Sequence, residues 1–230
     1  MQILIVGFQR SGTTLMRRIL TAHPHIRVIF HELFLLRQCD SKVKVMQFLD
    51  NKGVHISDQN WGEKCPFYPN VRGIPVVNYC KKWTEYFGPS SRILHTVRHP
   101  IDVALSVEVK AKGKGRKFKP FLHEPLSYYQ RVMRIAIPKI ANMKNAFTYK
   151  YEDLLMNQDE MLPRIFEFCG IDKDIDHRAA MSYFKQTKYR TIDPSRAFAH
   201  KRNPMPKFKI DLRSTINVIN DKLGGVEYTI

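Results

Sequence analysis

Short apolar runs alternate with amphipathic stretches along most of this chain. Ile3–Val6 is a continuous run rich in β-branched residues, which predicts a strand covered on both faces. Gly7–Gly12 interrupts it. Thr13–Ala22 then repeats apolar residues at helical spacing, with Leu15, Met16, Ile19 and Leu20 sharing a face, and the pattern stops at His23-Pro24. Ile26–Phe30 reads as a second strand, followed by an apolar-periodic stretch from Leu33 to Leu49. NWGEKCPF (60–67) predicts a short strand ending in a turn. A helix is expected from Pro75, suited to a first helical position, to Phe87, with Gly88 as its stop. Arg92–Val97 predicts a buried strand, Pro100–Lys110 and Pro125–Lys144 helices, Ala146–Tyr151 a strand, and Asp159–Cys169 a helix closed by Gly170. Beyond that the periodicity fades, and Arg190–Lys209 is Pro-rich and basic. Strands alternating with helices imply a parallel α/β sheet with right-handed crossovers.

Composition adds a bias to this frame. The 230 residues suffice for one sizeable domain with its own core. The 38 Lys and Arg against 21 Asp and Glu give a net charge of +17, which implies anionic partners without saying which. Cys39, Cys65, Cys80 and Cys169 form no C-x-x-C pair, so a zinc site and a disulfide framework are not expected, and the four read as buried thiols. No signal peptide and no apolar run long enough to span a bilayer is expected, which implies a soluble, cytoplasmic protein.

The candidate chemistry begins at GFQRSGTT (7–14). A glycine-flanked loop between a buried strand and a helix aims successive backbone N–H groups at an oxyanion from the positive end of a helix dipole. The motif nearly matches G-x-x-x-x-G-K-[ST], but Thr13 stands at the lysine position. Arg10 can supply the missing positive charge, and Ser11, Thr13 and Thr14 add hydroxyl donors.

VGFQRSGTTLMRRILTAHP resembles the 5′-phosphosulfate loop of sulfotransferases that use 3′-phosphoadenosine-5′-phosphosulfate (PAPS), and within that superfamily the protein-tyrosine sulfotransferases and their bacterial relatives. The resemblance implies a three-layer P-loop α/β fold with a central parallel sheet flanked by helices. It also implies that Arg10, Ser11, Gly12, Thr13 and Thr14 hold the phosphosulfate. ILHTVRHPIDVALSVEVK resembles the 3′-phosphate motif, so Arg98 and Ser106 match the pair that grips that phosphate, and Lys110, one helical turn after Ser106, matches a further basic contact. His99 stands where the family usually has Asp.

Three more segments extend the resemblance, which covers roughly residues 2–170, and the tail adds candidates without a clean motif. FHELFLL places Glu32 where the tyrosine-sulfating enzymes carry their general base; His31 is the alternative base, and a helix-start carboxylate the structural reading of Glu32. GEKCPF resembles Asn-Lys-Asp-Pro-Phe, so Lys64 matches the lysine that stabilises the departing phosphate, with Glu63 for the Asn and Cys65 for the Asp. In YKYEDLL, Tyr151 matches an aromatic that approaches the cofactor, or is a half-buried aromatic at a strand end. In SRAFAHKRNPMPKFK, Ser195 and Lys201 are candidates for a lid, part of a tail (190–230) expected to cover the cofactor within a single domain of residues 1–230. The basic run Lys110–Lys119 reads either as a solvated loop or as a rim for an anionic acceptor.

The leading expectation is transfer of a sulfuryl group from PAPS to an acceptor hydroxyl (glycan, tyrosine or small molecule) by in-line displacement. Glu32 would act as base, Lys64 and Arg10 would carry the leaving charge, PAP would be the product, and no metal would be required. A P-loop kinase of a small molecule or nucleotide needs the lysine that Thr13 replaces. A nucleic-acid-binding protein would account for the charge, but the chain has no helix-turn-helix, zinc-finger or aromatic RNA-binding signature.

Overall fold

The computed structural model describes residues 1–23, 26–53, 60–67, 75–112, 123–171, 192–202 and 212–229, without the side chains at 27–29, 31, 108, 110–112, 123–126 and 128. Its strands are β1 (Gln2–Phe8), β2 (Ile26–His31), β3 (Asn60–Phe67), β4 (Arg92–Val97) and β5 (Ala146–Lys150). All pair in parallel, in the order β2-β3-β1-β4-β5. The chain therefore leaves the central strand β1 between two neighbours that come later in sequence, where α/β sheets open a crevice at their carboxyl edge.

Alternation along the strands builds two cores. Leu4, Val6 and Phe8 of β1, with Trp61, Cys65 and Phe67 of β3, face one layer of helices. That layer holds α2 (Leu35–Gln38), α3 (Lys42–Asp50), α4 (Val76–Phe87), α5 (Pro100–Lys112), α6 (His123–Ala141) and α9 (Arg213–Lys222). Ile3 and Ile5, with Leu94 and Tyr149, face the other layer: α1 (Thr13–Thr21), α7 (Tyr151–Met156) and α8 (Gln158–Phe168). These are the three layers expected. In the first core Trp61 and Trp83, both wholly enclosed, meet edge to face with ring centroids 5.7 Å apart, and Phe87 lies 4.6 Å from Trp83.

Several boundaries differ from the sequence reading. The stretch 33–49 is two helices, because Ser41 caps α3, its Oγ accepting from the Lys44 amide at 3.3 Å. Residues 60–67 are strand throughout, paired on both sides. β5 stops at Lys150 because Tyr151 opens α7. The helix α9 was not expected: its buried residues are only Thr215, Ile216 and Ile219, too short a stripe to stand out of the basic tail.

Candidate active site

Four strands lead into a candidate residue at one edge of the sheet: Arg10–Thr14 follow β1, Glu32 follows β2, Arg98 follows β4 and Tyr151 follows β5, while Lys64 lies within β3, level with the end of β2. Lys64 pairs in register with Ile5 on one side and His31 on the other.

The loop after β1 is shaped by contacts that exclude larger residues. Gly12 caps α1 at φ 107°, and a Cβ there would lie 2.2 Å from Cδ2 of Tyr151. A Cβ on Gly7 would lie 2.6 Å from the carbonyl oxygen of Thr96. The Tyr151 ring thus seals the loop from below, and burial raises its phenol, partly offset by the nearby Arg98 charge. Arg10 holds a left-handed backbone at φ 69°. Thr13 and Ser11 are buried, and the Ser11 hydroxyl has no hydrogen-bond partner among the described residues.

The 5′ and 3′ halves of the expected clamp meet directly. Arg10 Nε donates to Ser106 Oγ at 2.9 Å, and Arg98 Nη1 donates to the carbonyl of Arg10 at 3.1 Å. Arg98 also donates through Nη2 to the Arg196 carbonyl at 3.2 Å, and its guanidinium sits 4.7 Å over the Tyr151 ring. Its Nε is buried without a hydrogen-bond partner among the described residues. Tyr129 of α6 fixes the strand end by donating to the Arg98 carbonyl at 2.6 Å.

At the other end, Lys64 and Glu32 form an ion pair at 2.5 Å, with Lys64 2% and Glu32 25% exposed. The Lys64 ammonium also reaches Thr14 Oγ1 at 3.4 Å, so a single side chain joins the candidate base to the loop. Burial lowers the Lys64 ammonium from the usual lysine value, while the hydrogen bond and charge of Glu32 pull it back up and Arg17 pushes it further down.

Two carboxylates behind this edge are enclosed completely. Glu63 receives the Leu35 amide at 3.3 Å and the Tyr79 hydroxyl at 2.8 Å. Glu152 receives the His99 amide at 3.1 Å and the Tyr228 hydroxyl. Burial pushes each up to about 7 against the pull of these donors. Tyr228 belongs to a C-terminal segment docked by Val226, whose amide donates to Asp153 at 2.7 Å and whose carbonyl receives Lys150 Nζ at 2.8 Å. The Thr229 carbonyl lies 2.9 Å from Nε2 of His99.

The tail segment 192–202 also reaches the edge, though not through the residues expected. Ser195 spends its hydroxyl on Asp193 at 2.6 Å, and Lys201 lies 4.8 Å over the Phe198 ring. The contact with Arg98 comes instead from the Arg196 carbonyl. Asp102 of α5 anchors the segment, accepting from the Ala199 amide at 3.2 Å, the His200 amide at 2.8 Å and His200 Nδ1 at 3.0 Å. Burial opposes the Asp102 charge, but His200 and Arg98 outweigh it and hold the carboxyl below its ordinary value. The side chains of Lys110 and His31, and the basic run from residue 113, lie outside the described residues. Glu63, Glu152, Asp102, Tyr129 and Tyr228 were not singled out from the sequence for any role here. Two stretches carried a hint: Glu63 adjoins Lys64 in GEKCPF, and Glu152 adjoins Tyr151 in YED.

A glycine loop at the central strand, arginines after two strand ends and a lysine–carboxylate pair gather at one edge of an α/β sheet, a set of donors and cations whose chemistry suits an oxyanion-rich ligand. The profile of the Sulfotransferase family matches residues 2–68 and 77–175, and the chain belongs to that family, whose chemistry is sulfuryl transfer. Comparison with curated protein sequences found no match. Among solved structures, the sulfotransferase domain from the curacin biosynthetic pathway superposes with a TM-score of 0.62 at 19% identity, covering 95% of this chain and 96% of that one. The sulfotransferase domain of the Synechococcus PCC 7002 olefin synthase gives 0.62 at 18%, covering 95% and 93%. Mouse sulfotransferase SULT7A1, solved with PAP, gives 0.53 at 18%, covering 81% and 66%. At these identities the likeness is one of fold. No helix among the described residues is long and apolar enough to cross a membrane.

Proposed function

We propose that this protein transfers the sulfuryl group of PAPS to an acceptor hydroxyl and releases PAP. The observation that carries the reading is the junction of Arg10, Ser106 and Arg98, which unites the loop after β1 with the end of β4 and the middle of α5. The residues fit such a donor: Ser11 and Arg98 keep buried donors without hydrogen-bond partners among the described residues, and Gly7 and Gly12 leave no room for a Cβ. PAPS supplies the activated sulfuryl group. Arg10, Ser11, Gly12, Thr13 and Thr14 hold its phosphosulfate; Arg98, Ser106 and Lys110 hold its 3′-phosphate; Tyr151 flanks it. Ser195 and Lys201 belong to the segment that covers it.

Glu32 takes the acceptor proton as the new oxygen–sulfur bond forms. Lys64 and Arg10 place positive charge beside the oxygen that leaves with the phosphate. A glycan, a tyrosine or a small molecule fits as acceptor, all in a single domain. The cytoplasmic setting belongs to the same proposal and accords with four buried, unpaired cysteines.

Calorimetry with PAP tests the donor. Wild type binds, and Arg98→Ala weakens binding about 100-fold, the loss of a charge-assisted contact worth ~3 kcal/mol. No binding, or equal binding by the variant, removes the assignment. Glu32→Ala abolishes turnover of PAPS while PAP affinity stays; loss of both together makes Glu32 structural.

A further inference from the structure

Lys64 grips the side chain of Glu32, but what sets the backbone that presents it lies on the opposite face of β3. Neighbouring residues of a strand point to opposite faces. Lys64 therefore meets Thr14 of α1, while Glu63 turns into the other core toward α2 and α4. Between β2 and α2 the chain takes an unusual path: Glu32 at φ 58° and Phe34 at φ 53° are both left-handed, although neither is glycine. Two tethers hold this path. At its start the Glu32 amide donates to the Lys64 carbonyl at 3.0 Å. At its end the Leu35 amide lies 3.3 Å from both oxygens of Glu63. Tyr79 completes the second tether, donating to Glu63 at 2.8 Å and accepting from the Leu36 amide at 3.2 Å.

We propose that Glu63, with Tyr79, is the positioning residue of the candidate base: it clamps the left-handed turn of residues 32–34 and so fixes where the Glu32 carboxylate points. The inference rests on the reading of Glu32 as base. Several features separate this arrangement from ordinary core packing. Among the described residues, the groups that hydrogen-bond the Glu63 carboxylate are donors, namely the Leu35 amide, the Phe34 amide and the Tyr79 hydroxyl. A neutral amide at position 63 has one accepting oxygen where the carboxylate has two, and it turns an N–H₂ toward donors. The isosteric change Glu63→Gln therefore keeps the volume and removes the clamp. Burying a carboxylate in this core is costly, and an apolar residue would fill the space without that cost. What the carboxylate adds is a double acceptor at the point where this strained turn enters α2.

The test compares wild type, Glu63→Gln and Tyr79→Phe by amide hydrogen exchange over residues 30–38, by PAP calorimetry, and by PAP release from PAPS with 4-nitrophenol or water as acceptor. In Glu63→Gln, exchange at 30–38 accelerates while the rest of the sheet stays protected. PAP affinity remains within about twofold of wild type, and PAP release slows about tenfold or more, as a small misplacement of a catalytic group does. Tyr79→Phe gives the same pattern with smaller changes. Unchanged exchange at 30–38 overturns the proposal, as does a loss of PAP affinity equal to the loss of rate. If wild type itself fails to bind PAP, the assigned donor falls, and the exchange measurement still decides whether Glu63 holds the turn.

Discussion

Glu63 and Glu152 are both fully enclosed, both pushed up to about 7, and both placed behind the carboxyl edge of the sheet, one on each side of β1. They differ in where their partners come from. Glu63 is met by Leu35 and Tyr79, 28 and 16 residues away, so its end of the edge is assembled from one run of strand and helix. Glu152 is met by His99, 53 residues before it, and by Tyr228, 76 residues after it. Its end therefore exists only once the C-terminal segment has docked. The Glu32 side of the candidate site is supported from nearby chain, whereas the Arg98 side is completed by distant chain.

Breaking both carboxylates gives the largest contrast. Glu152→Ala and Glu63→Ala each leave buried donors unmatched and a cavity, and each should cost roughly 2–4 kcal/mol in a denaturant titration. Only Glu152→Ala should also weaken PAP binding in calorimetry, because His99 adjoins Arg98. Equal loss of affinity in both variants would erase the distinction. Ending the chain after Leu223 removes Tyr228 and Val226 together, and PAP affinity should fall about tenfold, ~1.4 kcal/mol. Amide exchange at 30–38 should not change in that truncated protein, and any acceleration there means that the two ends are coupled. Tyr228→Phe is milder, about 1 kcal/mol of stability for a single buried hydroxyl.

The pH dependence separates the two carboxylates in another way. A carboxyl raised to about 7 binds more protons in the folded than in the unfolded chain, so its contribution to stability declines as pH rises from its ordinary value near 4.5 to about 7. His95 and His99, lowered by burial to about 3 and about 4, act with the opposite sign: their contribution grows as pH rises toward 6.5. These opposing slopes partly cancel in the wild type. Glu152→Gln removes one declining contribution, so melts across pH 5–7 should show the variant gaining on wild type as pH rises. A difference that stays flat counts against a raised Glu152 carboxyl, and the same experiment on Glu63→Gln shows whether the two carboxylates titrate alike.

How much of this was legible in the sequence follows from where the signal resides. The loop Gly7–Thr14 and the strands β1 and β4 are readable because their chemistry is local: apolar run, glycines, cation and hydroxyls lie within a few residues of each other. Arg98 and Ser106 stood out only through their resemblance to the family's 3′-phosphate motif, since a strand-closing arginine alone carries no such signal. The contact of Arg10 with Ser106 joins residues 96 positions apart, and no periodicity encodes it. Glu152 and Tyr228 read as ordinary polar or aromatic residues and Glu63 only as a departure from a motif, and burial is what makes all three matter. Ser195 and Lys201 show the opposite case. Their neighbourhood was anticipated, but Asp193 and Phe198 lie beside them and occupy them locally, and it is a backbone carbonyl at Arg196 that meets Arg98.

The edge-to-face pair of Trp61 and Trp83 has a practical consequence. They are the only two tryptophans of the chain, and both sit sealed in the core that α4 covers, away from the oxyanion loop. Their ultraviolet emission should therefore shift when the protein unfolds and stay nearly silent when a nucleotide settles at the sheet edge. A melt followed at those two indoles reads ligand affinity purely as a displaced midpoint, about 2.7 kcal/mol of added stability at a ligand concentration of about 100 times Kd. Because the signal does not come from the site, the same optical assay can rank PAP, PAPS and any candidate acceptor without labelling any of them.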